Sequence, residues 1–162
     1  MVSNSDDDDF KGINIENLDL NAKESPKCAS AGYHRAQLIG QEFAESKNNP
    51  GNFNFVLEFQ LSDKDPDTPG RKMKAWVSCP SAADKDQYYG DGRTKMGAKL
   101  DWLSKVLAAF GHSGGGKLSK TMFHKYIGKF ANILIENVVD TETGEIRDRI
   151  NLSFGDGIKK VN

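Results

Sequence analysis

Phe53, Phe55, Leu57, Phe59 and Leu61 occupy every second position across nine residues, with Asn52, Asn54, Glu58 and Gln60 between them and only Val56 out of class. Side chains of a strand alternate between two faces, whereas a helix would spread these five apolar groups around its whole circumference. The segment can therefore only be a strand with one buried face, and it requires other strands to complete a sheet and a core.

Two further segments carry the same alternation with a different polar face. In Arg71-Lys72-Met73-Lys74-Ala75-Trp76-Val77-Ser78, the apolar Met73, Ala75 and Val77 alternate with Lys72, Lys74 and Trp76. In Glu145 to Phe154, the apolar Ile146, Ile150, Leu152 and Phe154 alternate with Arg147, Arg149, Asn151 and Ser153, and Asp148 alone breaks the apolar side. Cations on the outer face of an antiparallel sheet commonly do no more than keep it soluble and blunt its edges. An indole on that face is different, because a large exposed aromatic calls for a cover or a ligand. Flat aromatics beside ammonium and guanidinium groups suit a flexible polyanion whose bases stack, which is single-stranded nucleic acid.

The remaining elements follow from breakers and periodicity. A poorly patterned strand is expected over 32–43, with Tyr33, Leu38, Ile39 and Phe43 as its apolar members, followed by a turn at Glu45 to Gly51. Asp63 to Gly70 forms a loop into the Lys72 strand. A long polar link holding Tyr88 and Tyr89 precedes a helix whose Met96, Leu100, Leu103, Leu107 and Phe110 share one stripe. Thr94 is its N-cap and Gly111 its left-handed terminator. Tyr126 to Val139 reads as a buried strand, and Thr141 to Gly144 as a hairpin tip leading into the Arg147 strand.

The resulting order, β-β-β-α-β-β, is that of the OB-fold: a mainly β, five-stranded, partly open barrel with one helix between strands 3 and 4. A generic α+β sheet with one packed helix is the alternative. The chain divides into an acidic, disordered arm (1–29), the barrel domain (30–155) and a short C-terminal tail (156–162). Residues 1–24 hold seven acids and two bases, so the net charge of −1 conceals a body with twenty bases against sixteen acids. That excess is modest, and any grip on nucleic acid must come from local clustering and stacking.

Other chemistry finds little footing. Gly111 to Lys117 has phosphate-loop spacing, but Leu118 stands where a magnesium-binding hydroxyl belongs and the run follows a helix. Asp63, Asp65 and Asp67 alternate like a calcium loop that Pro66 and Pro69 interrupt. His34, His112 and His124 show no metal spacing, Cys28 and Cys79 match no disulfide or zinc framework, and no catalytic set is visible. The reading is a non-enzyme with no cofactor and no metal. No stretch approaches the ~20 apolar residues of a membrane span, which points to a cytoplasmic protein.

Gly70 to Trp76, the helix from Lys99 to Gly111, and Tyr126-Ile127-Gly128-Lys129 leading to Arg149-Ile150-Asn151 resemble a family of bacteriophage OB-fold single-stranded DNA-binding proteins over roughly residues 31–155. The resemblance implies DNA replication or recombination in an infected bacterial host, with Lys72, Lys74, Trp76, Arg147 and Arg149 on the DNA. Tyr88 and Tyr89 are further stacking candidates, balanced against sealing a loop over the core. Asp6-Asp7-Asp8-Asp9-Phe10 is similar in content to the acidic tips of single-stranded DNA-binding proteins but lies at the opposite terminus. It is a candidate arm for capturing partner proteins or competing with DNA. The second functional reading is an adaptor whose groove binds a partner polypeptide or RNA; oligomeric state stays open.

Overall fold

The computed structural model describes residues 12, 14–22 and 27–162. It contains β1 (Gly32–Glu45), β2 (Phe53–Leu61), β3 (Lys72–Ser78), helix α1 (Lys95–Ala109), β4 (Phe130–Val139), β5 (Ile146–Ile150) and β6 (Ile158–Lys160). The strands form one antiparallel sheet in the order β3-β2-β1-β4-β5, and β6 pairs with β4 on the same edge as β5. The mainly β class and, among the described residues, the single α-helix after three strands are as expected. The five-stranded barrel is not: the sheet has six strands, and hydrogen bonding does not close it. The segment read as a tail supplies β6, with Ile158 buried.

β2 is the centre of the core. Phe55, Leu57, Phe59 and Leu61 are all at most 1 % exposed, and burial of each such side chain stabilises the fold by roughly 1.5–3 kcal/mol. Phe53, expected with them, is the strand's first residue, is exposed, and stacks on Phe43 at 5.2 Å. β1 is poorly patterned for an identifiable reason. Its pairing with β2 slips between Leu38 and Gly40, a bulge that moves the inward side from even positions (Ala36, Leu38) to odd ones (Phe43).

The helix is capped as expected, with the Thr94 hydroxyl accepting from the Gly97 amide at 3.0 Å. Its buried side is rotated from the expected stripe, however: Leu103, Val106, Leu107 and Ala109 are buried while Leu100 is exposed. Tyr126 does not belong to β4. A short 3-10 turn (His124–Tyr126) and Gly128, at φ 99°, precede that strand, and Tyr126 is buried outside it.

Before the sheet, Lys27 to Ser30 is bound into the fold. Ala29 is fully buried, and the Cys28 thiol donates to the Ile146 carbonyl at 3.0 Å. His34 is buried with one ring nitrogen 2.5 Å from Asp65 and the other 2.7 Å from the Ser30 carbonyl. Asp65 is thus the partner of a histidine. Its neighbour Asp67 accepts from the Ser30 amide, so the aspartate loop fastens the start of β1. Among the described residues no helix is long and apolar enough to cross a membrane.

Candidate nucleic-acid interface

β3 displays its two faces as the alternation requires. Met73, Ala75 and Val77 are buried, Lys72 and Lys74 are exposed, and Trp76 is 57 % exposed. Register places Lys72 beside Gln60, Lys74 beside Glu58 and Trp76 beside Val56. The last pair accounts for the one residue that broke the β2 pattern: Val56 is an outer-face residue, yet it is 9 % exposed and lies in register between Trp76 on β3 and Glu42 on β1. Cross-strand pairs of an aromatic and a β-branched side chain stabilise a sheet face. Among the described residues neither lysine makes an ion pair.

β5 is shorter than its sequence pattern, ending at Ile150, and its two arginines are not free cations. Arg149 is bound to Glu136, its cross-strand partner on β4, and the Arg147 guanidinium lies 3.4 Å from Asp140. Glu136 also accepts from the Asn151 amide group at 3.0 Å. Hydrogen bonds from Asn151 and then Arg149 hold the Glu136 carboxyl below the usual carboxylate range. Asp140 is lowered as well, first by the Glu142 and Thr143 backbone amides and then by the Arg147 charge. Asp148, the polar interruption in the apolar side, has a side chain only 1 % exposed. It accepts from Arg71 at 2.5 Å and from the Ala29 amide at 2.7 Å. The sheet's two terminal strands, β3 and β5, thus approach through a side-chain bridge between Arg71 and Asp148 in place of a backbone ladder.

That approach sets Trp76 and Arg149 on one cleft of about 280 Å3, together with Trp102 from α1 and Phe154. Phe154 had been expected on the apolar face of β5. It instead occupies a short turn (Ser153–Gly155) in the left-handed region, and its ring is 63 % exposed. Tyr89 and Phe154 line an adjoining cleft of about 340 Å3, while Tyr88 is exposed and lines neither. Lys72, Lys74 and Trp76 therefore share one strand face, Trp76 and Arg149 share one cleft, and Tyr88 and Arg147 stand apart from it. Asp6, Asp7, Asp8, Asp9 and Phe10 lie outside the described residues.

A second cation-aromatic group escaped the sequence. On the outer face of β1, β4 and β6, the Arg35 guanidinium sits 4.7 Å from the centre of the Phe130 ring and the Lys159 ammonium 4.5 Å from that of Tyr33. Register connects the group to β3, because Lys72, Gln60, Gln37 and Phe130 fall in one row across four strands. A cleft of about 450 Å3 lies along that row, lined by Gln60, Gln37, Arg35 and Phe130. These residues were missed because β1 sets an aromatic, Tyr33, on its outer side and a polar residue, His34, on its inner side, which blurs the alternation, and because β6 is too short to show a pattern. Among the described residues no group of three or more His, Cys, Asp or Glu side chains could hold a metal ion. No protein-family model matches this chain, and no curated protein matches it.

Proposed function

We propose that the protein binds single-stranded DNA through the outer face of its sheet, with little regard for sequence, and that its architecture is a variant of the OB-fold. The OB reading rests on the strand order. β1 pairs with both β2 and β4, the helix falls between β3 and β4, and β3 lies close to β5 as it does where such a barrel closes. The observation that carries the functional reading is Trp76, a largely exposed indole on the same strand face as Lys72 and Lys74. Ammonium groups neutralise phosphates, and an aromatic face stacks any base, so the pair of features favours a strand whose bases are unpaired. The Arg35, Phe130, Tyr33 and Lys159 group extends the same chemistry across the sheet.

In this reading the protein covers exposed strands during phage DNA replication or recombination, and the acidic Asp6 to Phe10 segment contacts partner proteins or competes with DNA. The direct test is titration of the intact chain with labelled oligothymidylate, comparing Trp76→Ala with the parent. Stacking is worth about 1–3 kcal/mol per base, so the variant should bind about one to two decades more weakly. Unchanged affinity removes Trp76 from the site, and equal affinity of the parent for duplex would overturn the single-strand reading. Binding of a polypeptide in place of any oligonucleotide would establish the adaptor reading.

A further inference from the structure

We propose that the cleft between β3 and the Ser153–Gly155 turn takes a single nucleobase, drawn out of the strand and held between the faces of Trp76 and Phe154, with Arg149 on the adjoining phosphate. The inference rests on the single-stranded DNA reading and adds to it a defined one-base site, with Phe154 as its second wall.

The way Phe154 is held is the first argument. Ser153 and Phe154 both lie in the left-handed region, at φ 47° and 56°, which residues with a Cβ enter at a cost. Strain of this kind persists only where the surroundings fix it. Here they do: the Gly155 and Gly157 amides both donate to the Leu152 carbonyl, at 2.8 and 2.7 Å. The turn also packs directly onto α1, since a Cβ on Gly155 would stand 2.5 Å from that of Lys105. A Cβ on Gly157 would fall 1.9 Å from the Asn151 carbonyl oxygen, so the chain beyond the turn has no slack either.

All this order presents a phenyl ring to solvent. A side chain whose only role was packing would not be 63 % exposed at the tip of a strained, fully tethered turn. Trp102 backs the ring at 5.2 Å between centres, with the planes tilted by 60°, which steadies one side of Phe154 and leaves ring surface accessible.

The opposite wall and the charge give the second argument. Trp76 is the other largely exposed aromatic on this cleft, and Phe154 packs on Trp102 and not on it. The cavity of about 280 Å3 falls just below the ~300–1,000 Å3 range of small-molecule sites, a size suited to one base and not to a folded segment. Arg149 borders it with its guanidinium held by Glu136, so the donor group is positioned before any ligand arrives. The adjoining cleft that Phe154 also lines holds Asp101 and Asp156 beside Arg93 and Lys105, as this one holds Glu136 beside Arg149; what distinguishes this one is the largely exposed indole of Trp76.

The test uses the whole chain, labelled oligothymidylate, and the same oligonucleotide carrying scattered abasic positions, read by anisotropy. Phe154→Ala should weaken binding of the intact strand roughly 5- to 150-fold with the salt slope unchanged, and Phe154→Tyr should restore it. Phe154→Leu, which keeps an apolar contact for Trp102 but has no ring face, should behave as Phe154→Ala does; it serves alone if the alanine variant melts early. Abasic positions should weaken binding to the parent chain more than to either variant, since the pocket is already lost there. If the parent binds the intact strand and Phe154→Leu binds it equally well, or the abasic penalty is the same in both, the base pocket is overturned while single-strand binding stands. If the parent binds no single strand at all, both readings fall together.

Discussion

On β3, Lys72 and Lys74 face Gln60 and Glu58 and make no ion pair among the described residues, whereas on β5 Arg147 and Arg149 are each held by an acid, Asp140 and Glu136. The two strands look alike in the sequence, each setting bases on alternate positions beside an apolar face. What separates them is the neighbouring strand and turn. Both strands face a carboxylate, but Glu136 bonds Arg149 and Asp140 in the hairpin lies within reach of Arg147, whereas Glu58 opposite Lys74 makes no ion pair with it. An arginine in such a pair presents little net charge, although its remaining N–H groups can still aim at a phosphate. Lysines without a partner act as phosphate-neutralising point charges. The comparison assigns the electrostatic attraction to β3 and the positioning of a ligand to β5.

The largest expected effect concerns how the two strands are brought together. Asp148→Ala leaves the Ala29 amide without its acceptor and the Arg71 guanidinium with only the Lys27 carbonyl, and should lower stability by about 3 kcal/mol, read from urea unfolding. A loss well under 1 kcal/mol would mean that the bridge does not hold β3 against β5.

Next comes the charge contrast itself. Changing Lys72 and Lys74 together to Gln should flatten the dependence of log affinity on log salt by about 1.4, the contribution of two phosphates on a single strand. The matched change of Arg147 and Arg149 should flatten it less, and equal slopes would erase the distinction between the strands. A smaller effect in the other direction tests the same idea: Asp140→Asn frees Arg147, which stands apart from the cleft, so affinity should rise slightly and the salt dependence steepen. If affinity falls, Asp140 serves to orient Arg147 and not to mask it.

The smallest effect is on stability as pH changes. Burial of His34 opposes its protonation, but the hydrogen bonds to Asp65 and the Ser30 carbonyl, with the charges of Asp65 and Asp67, outweigh that and raise its pKa. A pKa raised on folding gives stability that is complete below the ordinary imidazole value of about 6.5 and is lost as pH rises through the folded value. Asp65 is shifted the other way: burial opposes its ionisation, but the His34 hydrogen bond and the Thr68 and Asp67 amides lower its pKa. Its contribution therefore disappears as pH falls through that lowered value. The melting temperature should decline from pH 6 toward pH 9, and the decline should vanish in His34→Gln. A decline of equal size in the variant would place the titrating group elsewhere.

β2 was legible because its hydrophobic period runs unbroken along the odd positions, and the helix start was legible because Thr94 caps it with its own side chain. The end of β5 was not. Leu152 and Phe154 keep the alternation after the strand has stopped, and period alone cannot distinguish a strand from a turn whose Leu152 happens to be buried. Val56 and Asp148 looked like faults in two patterns. They are instead the places where the outer face and the β3–β5 bridge show through. The candidate cleft was half legible: Trp76 and Arg149 announce themselves by type and spacing, while Trp102 was visible only as part of a helix.

By itself the sequence determined which face of β2 and β3 is buried, where the helix starts, and that Lys72, Lys74 and Trp76 share an outer surface, because these follow from local geometry that repeats every two residues or from a single cap. Only the tertiary structure decided that β5 stops at Ile150, that its arginines are paired, and that Phe154 meets Trp76 across a cleft. Each of those depends on contacts between residues far apart in the chain, and no local period records which distant carboxylate or ring the fold will bring near.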